Sequence, residues 1–505
     1  FNQHVPAGRT SVPWENGARL MRKPSTRAAL LPFLVLAISS LTACVDEKIV
    51  FQDRELFEEP LASAANFLGY SDYESKLTVC GNCHISKQGD WEETGHADGW
   101  AGLQDSGHAQ AFCEGCHTTS EFGNTASDVA GYTATGESRY EDVQCESCHG
   151  SGLTHVSDPN DSNVPLAPLN ITVGDNPTGC AECHTGSHHG FADEWAQSRH
   201  GDASTHQSYR VRPGCDYCHG GEAALKAWGV NTEYTEKGQG EQIGVTCAVC
   251  HDPHADHNDG QLRFPIDVLD VEENLCMKCH HKRAIPDEGT TSRGPHSPQG
   301  PLLVGELGQV GWIPPNFAYD VDRIAGTHGS EANPRLCAGC HVNSFTVTDS
   351  ETGDFVFNAT GHLFKAIPCL DAQGVPTGDD SCAMSTEART FGSCTTSGCH
   401  GSATAALSAM TVAQARIEAL VAELDALIDA APASEISRDD DVYTVAEGAS
   451  FNAGLGSISS SAIHNPFLTE ALLLASINIM KSNYGLASQT GVSLKTALIA
   501  PPDMR

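Results

Sequence analysis

The pentapeptide Cys145-Glu146-Ser147-Cys148-His149 holds two thiols and an imidazole within about one helical turn of chain. The same C-x-x-C-H spacing occurs seven more times, starting at Cys80, Cys113, Cys180, Cys215, Cys247, Cys276 and Cys337. Their second cysteines are Cys83, Cys116, Cys183, Cys218, Cys250, Cys279 and Cys340, followed directly by His84, His117, His184, His219, His251, His280 and His341. A ninth copy is stretched, with four residues between Cys394 and Cys399, and His400 next. These nine motifs use 18 of the 21 cysteines in the 505-residue chain. An isolated cysteine pair suits a zinc ribbon or a redox dithiol equally well. A histidine after every second cysteine instead reads as haem attachment, in which both thiols bond to the porphyrin and the histidine ligates the iron. The expectation is nine covalent haem c groups and electron transfer rather than catalysis.

Working outward, the first cysteines of motifs one to seven fall at 80, 113, 145, 180, 215, 247 and 276, a near-regular repeat. Repeats of this length stack so that each touches chiefly its neighbours. The loops between them are rich in Gly, Asp, Ser and Thr, so haem is expected to replace much of the side-chain core. The predicted fold is mostly irregular and α-helical, a multihaem array with few strands and a C-terminal α-helical hairpin. Residues 80–285 are expected to form a seven-haem array and 286–401 a two-haem domain. Pro286 to Pro315, with its repeated prolines, reads as an extended connection rather than a helix. Residues 402–505 form the tail. There Ile417, Leu420, Val421, Leu424, Leu427 and Ile428 recur at helical spacing, with Glu418, Glu423 and Asp425 between them. Asn465 and Pro466 announce a second helix running through Phe467, Leu468, Ala471, Leu472, Ala475 and Ile479. The link containing Asp439-Asp440-Asp441 reads as a solvated loop.

The other cysteines also have expected places. Met21-Arg22-Lys23 and Arg27 precede an apolar run, Ala28 to Ile38, which Leu41-Thr42-Ala43-Cys44 closes. Such a segment is an export signal, too short for a comfortable membrane span, and its last four residues resemble a bacterial lipobox. Residues 1–43 are then upstream sequence and lipoprotein signal peptide, with Met21 as start, Cys44 as lipid-anchored first residue, and 44–79 as linker. Val45 after Cys44 resembles outer-membrane sorting. Cys369 and Cys382 lie in a Gly/Pro/Asp-rich loop without adjacent histidines and are expected to form a disulfide in an oxidising compartment.

The charge balance is strongly acidic. From Cys44 onward the chain carries 24 basic and 63 acidic residues, net −39. That surface disfavours nucleic acid and anionic lipid. It suits redox partner proteins, metal ions and positively charged minerals such as metal oxides, and leaves a homo-oligomer open.

A six-coordinate haem needs a second axial ligand. Of 24 histidines, nine sit in motifs and His4 precedes Cys44, leaving 14 for nine places. With only six methionines, bis-histidine ligation is the economical reading. His96, His108, His155, His200, His254, His296, His328, His362 and His464 make the expected set. His96 and His108 share a local Gly-His-Ala pattern, and His188, His189, His206, His257 and His281 stand in reserve, with His188 and His189 foremost. His254 is three residues from His251, at most about 10 Å of chain. That is too short to pass around a porphyrin edge, so it must serve a different haem or none. His464, just before the last helix, is expected to serve the ninth haem at His400.

Cys145 to Gly150 leading to His155, Trp195 to His200, and Cys247 to His251 leading to His254 resemble the decahaem periplasmic and outer-membrane-conduit cytochromes of metal-respiring bacteria. The likeness covers about residues 80–285 and implies respiratory electron transfer. Those relatives carry ten regular motifs, whereas here there are nine. Ile463-His464-Asn465-Pro466 looks more like the distal-histidine helices of nitrite-reductase-type multihaem enzymes. Three functions follow: an outer-membrane relay toward an extracellular acceptor, a subunit of a polymeric cytochrome filament, or a multihaem oxyanion reductase.

Overall fold

The computed structural model describes residues 66–168, 170–202, 208–230, 243–281, 294–306, 310–315, 317, 327–396, 400–436 and 442–494. Cys44 and its lipobox, His206, Cys399 and Asp439–Asp441 lie outside them. Residues 61–505 form one compact unit.

Helices and turns dominate, and the strands are short. Among the described residues they make three antiparallel pairs: β1 (Tyr70–Asp72) with β2 (Leu77–Thr78), β3 (Phe345–Thr348) with β4 (Phe355–Ala359), and β5 (Cys369–Leu370) with β6 (Pro376–Thr377). Five of the motifs close visibly as a single tight turn. The His84, His184, His219, His251 and His280 amides all donate to the carbonyl of their own first cysteine, at 2.9–3.1 Å. One such i→i+4 bond brings both thiols and the imidazole to one side of the turn.

Aliphatic packing in the motif region is scattered. Phe67, Ala130 and Tyr140 form one small cluster, and Val271, Met277, Leu303 and Leu336 another. Buried carboxylates hold chain to chain between them. Glu146 accepts from the Leu68, Gly69 and Gly152 amides at 2.7–2.8 Å. Asp142 accepts from Tyr70 Oη at 3.0 Å and the Trp100 amide at 2.9 Å, and pairs with Lys76 at 3.1 Å. A buried carboxylate is tolerable only when donors replace its water, so these contacts fix distant segments firmly. Cys369 and Cys382 are joined by a disulfide.

α1 (Phe191–Gln197) follows the fourth motif. α2 (Gln299–Val304) falls inside the stretch expected to be extended, which corrects that expectation. Pro301 sits in the first turn, where no amide donor is needed. Burial of Leu302 and Leu303 rewards the helix.

The tail holds the continuous apolar core. α3 (Ala403–Asp429) and α5 (Pro466–Tyr484) are the two expected helices. Ser402 caps α3 by accepting from Ala405 N, and Asn465 caps α5 by accepting from Leu468 N. Between them lies α4 (Val445–Ser457), where a solvated loop was expected. Thr444 and Glu447 form a capping box at its start. Gly448, Gly454 and Gly456 make the segment read as loop, but their missing side chains let helices approach. A Cβ on Gly456 would stand 2.6 Å from Val421 Cγ2, and one on Gly448 2.2 Å from the Trp312 ring. The expected hairpin is thus completed by a third helix. Glu423, placed among the polar residues of α3 by its spacing, is fully buried. It receives the Ser488 hydroxyl, the Gln489 and Thr490 amides and the Lys481 ammonium.

Candidate haem-binding site

A connected cavity of about 4230 Å³ runs through residues 96–474, lined by cysteines or histidines of motifs four to nine. Across the described chain, every motif histidine faces a second imidazole. His84 faces His155 with ring centroids 6.5 Å apart, and His117 faces His189 at 6.1 Å. His149 meets His254 at 6.1 Å and His184 meets His96 at 6.2 Å. The separations are 6.3 Å for His219 and His296, and 6.2 Å for His251 and His362 and for His280 and His200. His341 opposes His464, and His400 opposes His328, each at 6.2 Å.

That spacing has a chemical meaning. Two imidazole–metal bonds of about 2.0 Å plus the distance from each nitrogen to its ring centre come to about 6 Å. Rings in direct stacking contact sit closer, and unrelated rings show no common distance. The site residues therefore fit a metal atom between each pair.

Hydrogen bonding at the far side of the rings agrees. Nδ1 of His117, His149, His251, His328 and His341 lies 2.7–3.0 Å from the carbonyls of Gly99, Pro165, Gly260, Ile463 and Phe364. His155 Nδ1 is 3.2 Å from Asn163 Oδ1 and His362 Nδ1 is 3.1 Å from Thr360 Oγ1. An acceptor at Nδ1 holds the proton there and leaves the Nε2 lone pair for a metal. His254 differs: its Nδ1 is 3.5 Å from Asp252, whose other oxygen pairs with Arg263 at 3.0 Å.

Desolvation disfavours the charged form of several of these rings. It holds His184 and His362 down at about 4, with neighbouring imidazoles adding to the effect. His464 is pushed down to about 3 by the same causes, burial first. A neutral imidazole is the form that ligates.

Eight of the nine histidines expected as second ligands, namely His96, His155, His200, His254, His296, His328, His362 and His464, stand in these pairs. His108 does not. It is exposed, just past Gly107 at φ +74°, and no ring opposes it among the described residues. His189 faces His117 instead. The Gly-His-Ala pattern misled because only the first copy leads into packed residues, Ala97 and Trp100, whereas Phe112 after the second is 85% exposed. Nothing in the His188-His189 doublet itself distinguishes its members. In the structure His188 stacks on Phe355 with centroids 4.5 Å apart. The expected partnership of His464 with His400 is also corrected. Residues 460–464 carry His464 to motif eight, and His328, held by the Ile463 carbonyl, takes the place opposite His400. His254 is paired away from its neighbour His251, as the short connection requires.

Residues 79–150 match a family model described as cytochrome c554 and c-prime, and residues 241–285 match a doubled CXXCH motif. The chain is 30% identical over 158 residues to the C-type polyheme cytochrome OmcC of Geobacter sulfurreducens. That match takes in 29% of this chain and 20% of the relative, so the chain spans a fifth of the curated protein it matches. A solved structure described as the outer cell wall cytochrome OcwA covers 73% of this chain and 75% of its own, at 19% identity and a TM-score of 0.44.

Proposed function

Taking the chain as the multihaem c-type cytochrome that its motifs and matched segments make it, we propose that it is a nine-haem electron relay, exported and lipid-anchored through Cys44. In this reading it passes electrons from a redox partner toward an acceptor outside the cell. The observation that carries the reading is the set of nine histidine pairs, each holding one motif histidine and one histidine from elsewhere in the chain. The bound groups would supply one-electron iron chemistry. The protein's part is to attach, orient and shield them. Two ligands per iron leave no coordination site for a substrate, which favours a relay over an oxyanion reductase.

Contacts between motifs one to eight support a continuous path through that part of the chain. The thiols of Cys80 and Cys145 lie within hydrogen-bond reach, as do Cys116 and Cys183, and Cys180 and Cys247. Cys279 meets Cys218 and Cys337 meets Cys276 in the same way. Motif three approaches motif four through Cys148 and Cys180, and motif six approaches seven through Cys250 and Cys279. The order becomes one, three, four, six, seven, eight, with motif two branching at four and motif five at seven. Second ligands drawn from other parts of the chain hold these spacings. The disulfide fits an oxidising compartment, and the acidic surface fits a cationic partner or mineral.

The test is the holoprotein purified from membranes. Intact mass should exceed the processed apoprotein plus lipid by nine haems, and electron paramagnetic resonance of the oxidised protein should be low-spin throughout. A stoichiometric high-spin signal would replace the relay with an enzyme. Protease shaving of intact cells followed by haem staining reports which side of the membrane the protein faces. Cys44→Ala should release the protein into the soluble fraction with its haem content unchanged.

A further inference from the structure

Glu194 projects from α1, just after the fourth motif, and is 2% exposed. Its carboxylate accepts three hydrogen bonds, all from one remote turn: Thr360 N at 2.8 Å, Thr360 Oγ1 at 2.8 Å and His362 N at 2.7 Å. No cation pairs with it among the described residues. A buried carboxylate without a cation is stable only where donors are fixed around it. The turn it binds is closely packed. Gly361 has φ +81°, and a Cβ there would stand 2.6 Å from the Val342 carbonyl carbon.

The other end of the contact is equally fixed. Asp193 accepts from Thr185 Oγ1 and the Gly186 amide, each at 2.7 Å, tying α1 to motif four. Trp195 Nε1 donates to the Val245 carbonyl at 2.9 Å, tying it to the approach to motif six. Phe191 of the same helix stands edge-on to both His184, at 5.7 Å, and His362, at 5.0 Å. One seven-residue helix thus touches two neighbouring sites, and its only buried acid grips the residue that faces His251.

We propose that Glu194 is the positioning residue for His362, setting where that imidazole stands opposite His251 and adding negative charge beside the site. The inference rests on reading His362 as the second ligand of the sixth haem. Two consequences follow. Loss of the three hydrogen bonds frees the Thr360-Gly361-His362 turn and loosens the His362 bond to iron. Loss of the charge alone disfavours the ferric state and raises the potential of that one centre.

The experiment uses the full-length holoprotein in three variants, with haem content, spin state and a potentiometric titration read for each. His362→Ala should convert one haem of nine to high spin; if all stay low-spin, the ligand reading fails and the proposal with it. Glu194→Ala should give a high-spin fraction of that same haem, returned to low spin by added imidazole. Glu194→Gln keeps the volume and one accepting oxygen but loses the charge and at least one of the three hydrogen bonds; it should retain nine haems and shift one potential upward. If His362→Ala behaves as expected while Glu194→Gln leaves every potential and the spin state unchanged, Glu194 is only a structural brace and the proposal is overturned.

Discussion

His464 opposes His341 across 6.2 Å, and the backbone carbonyl beside it, that of Ile463, receives Nδ1 of His328, which itself opposes His400. One short segment ahead of α5 thereby serves two sites, one directly and one through its neighbour. The tail bundle thus holds the imidazoles opposite the last two motif histidines as well as being a packing unit.

That arrangement separates the two histidines experimentally. His464→Ala and His328→Ala should each turn one haem high-spin without loss of covalent haem. In a Cys394→Ala, Cys399→Ala background, which lacks the ninth haem, His464→Ala should still produce a high-spin centre and His328→Ala should produce none. The reverse outcome would return His464 to the ninth haem.

His108 and His189 provide a second contrast. His189→Ala should convert one haem of nine to high spin, because His117 then has no partner. His108→Ala should leave the spectrum and the thermal midpoint unchanged, since the side chain is exposed. Electron paramagnetic resonance on both variants decides it.

Gly448→Ala tests the middle helix of the bundle. An added methyl meets the Trp312 ring at 2.2 Å, and overpacking of this kind costs about 1–3 kcal/mol. The melting temperature of the holoprotein should fall. The side chain of Asn452, one turn further along α4, accepts from the Trp312 amide and donates to the Trp312 carbonyl, so the damage should spread to the segment around residue 312. An unchanged melting temperature would mean that the ring moves freely.

Glu423 gives a pH dependence with a defined sign. Burial alone would push its carboxyl up, but the Thr490 amide and hydroxyl, Lys481 and Ser488 hold it down at about 2. A carboxyl with a depressed pKa stabilises the fold above its ordinary value of 4.5 and loses that contribution as pH falls toward 2. The stability difference between the native protein and Glu423→Gln should be full at neutral pH and shrink steadily between those limits. A constant difference across that range would exclude the carboxylate as its source.

The covalent chemistry was legible in the sequence because it is local. Two thiols and an imidazole within one turn need no tertiary information, and neither does the helical period of Ile417, Leu420, Leu424 and Leu427 or the Asn465-Pro466 helix start. α4 escaped because its glycines lower helix propensity, and only the faces of Trp312, Val421 and Leu473 packed against them show why they are there. Which histidines face the motif histidines is a different kind of fact. His96 and His108 carry the same local pattern, yet one is enclosed opposite His184 and the other faces outward, and His188 and His189 differ by a single position. Composition showed that enough histidines existed. Which imidazole meets which depends on long-range contacts such as Glu194 with His362, 168 residues apart, and those exist only once the chain has folded.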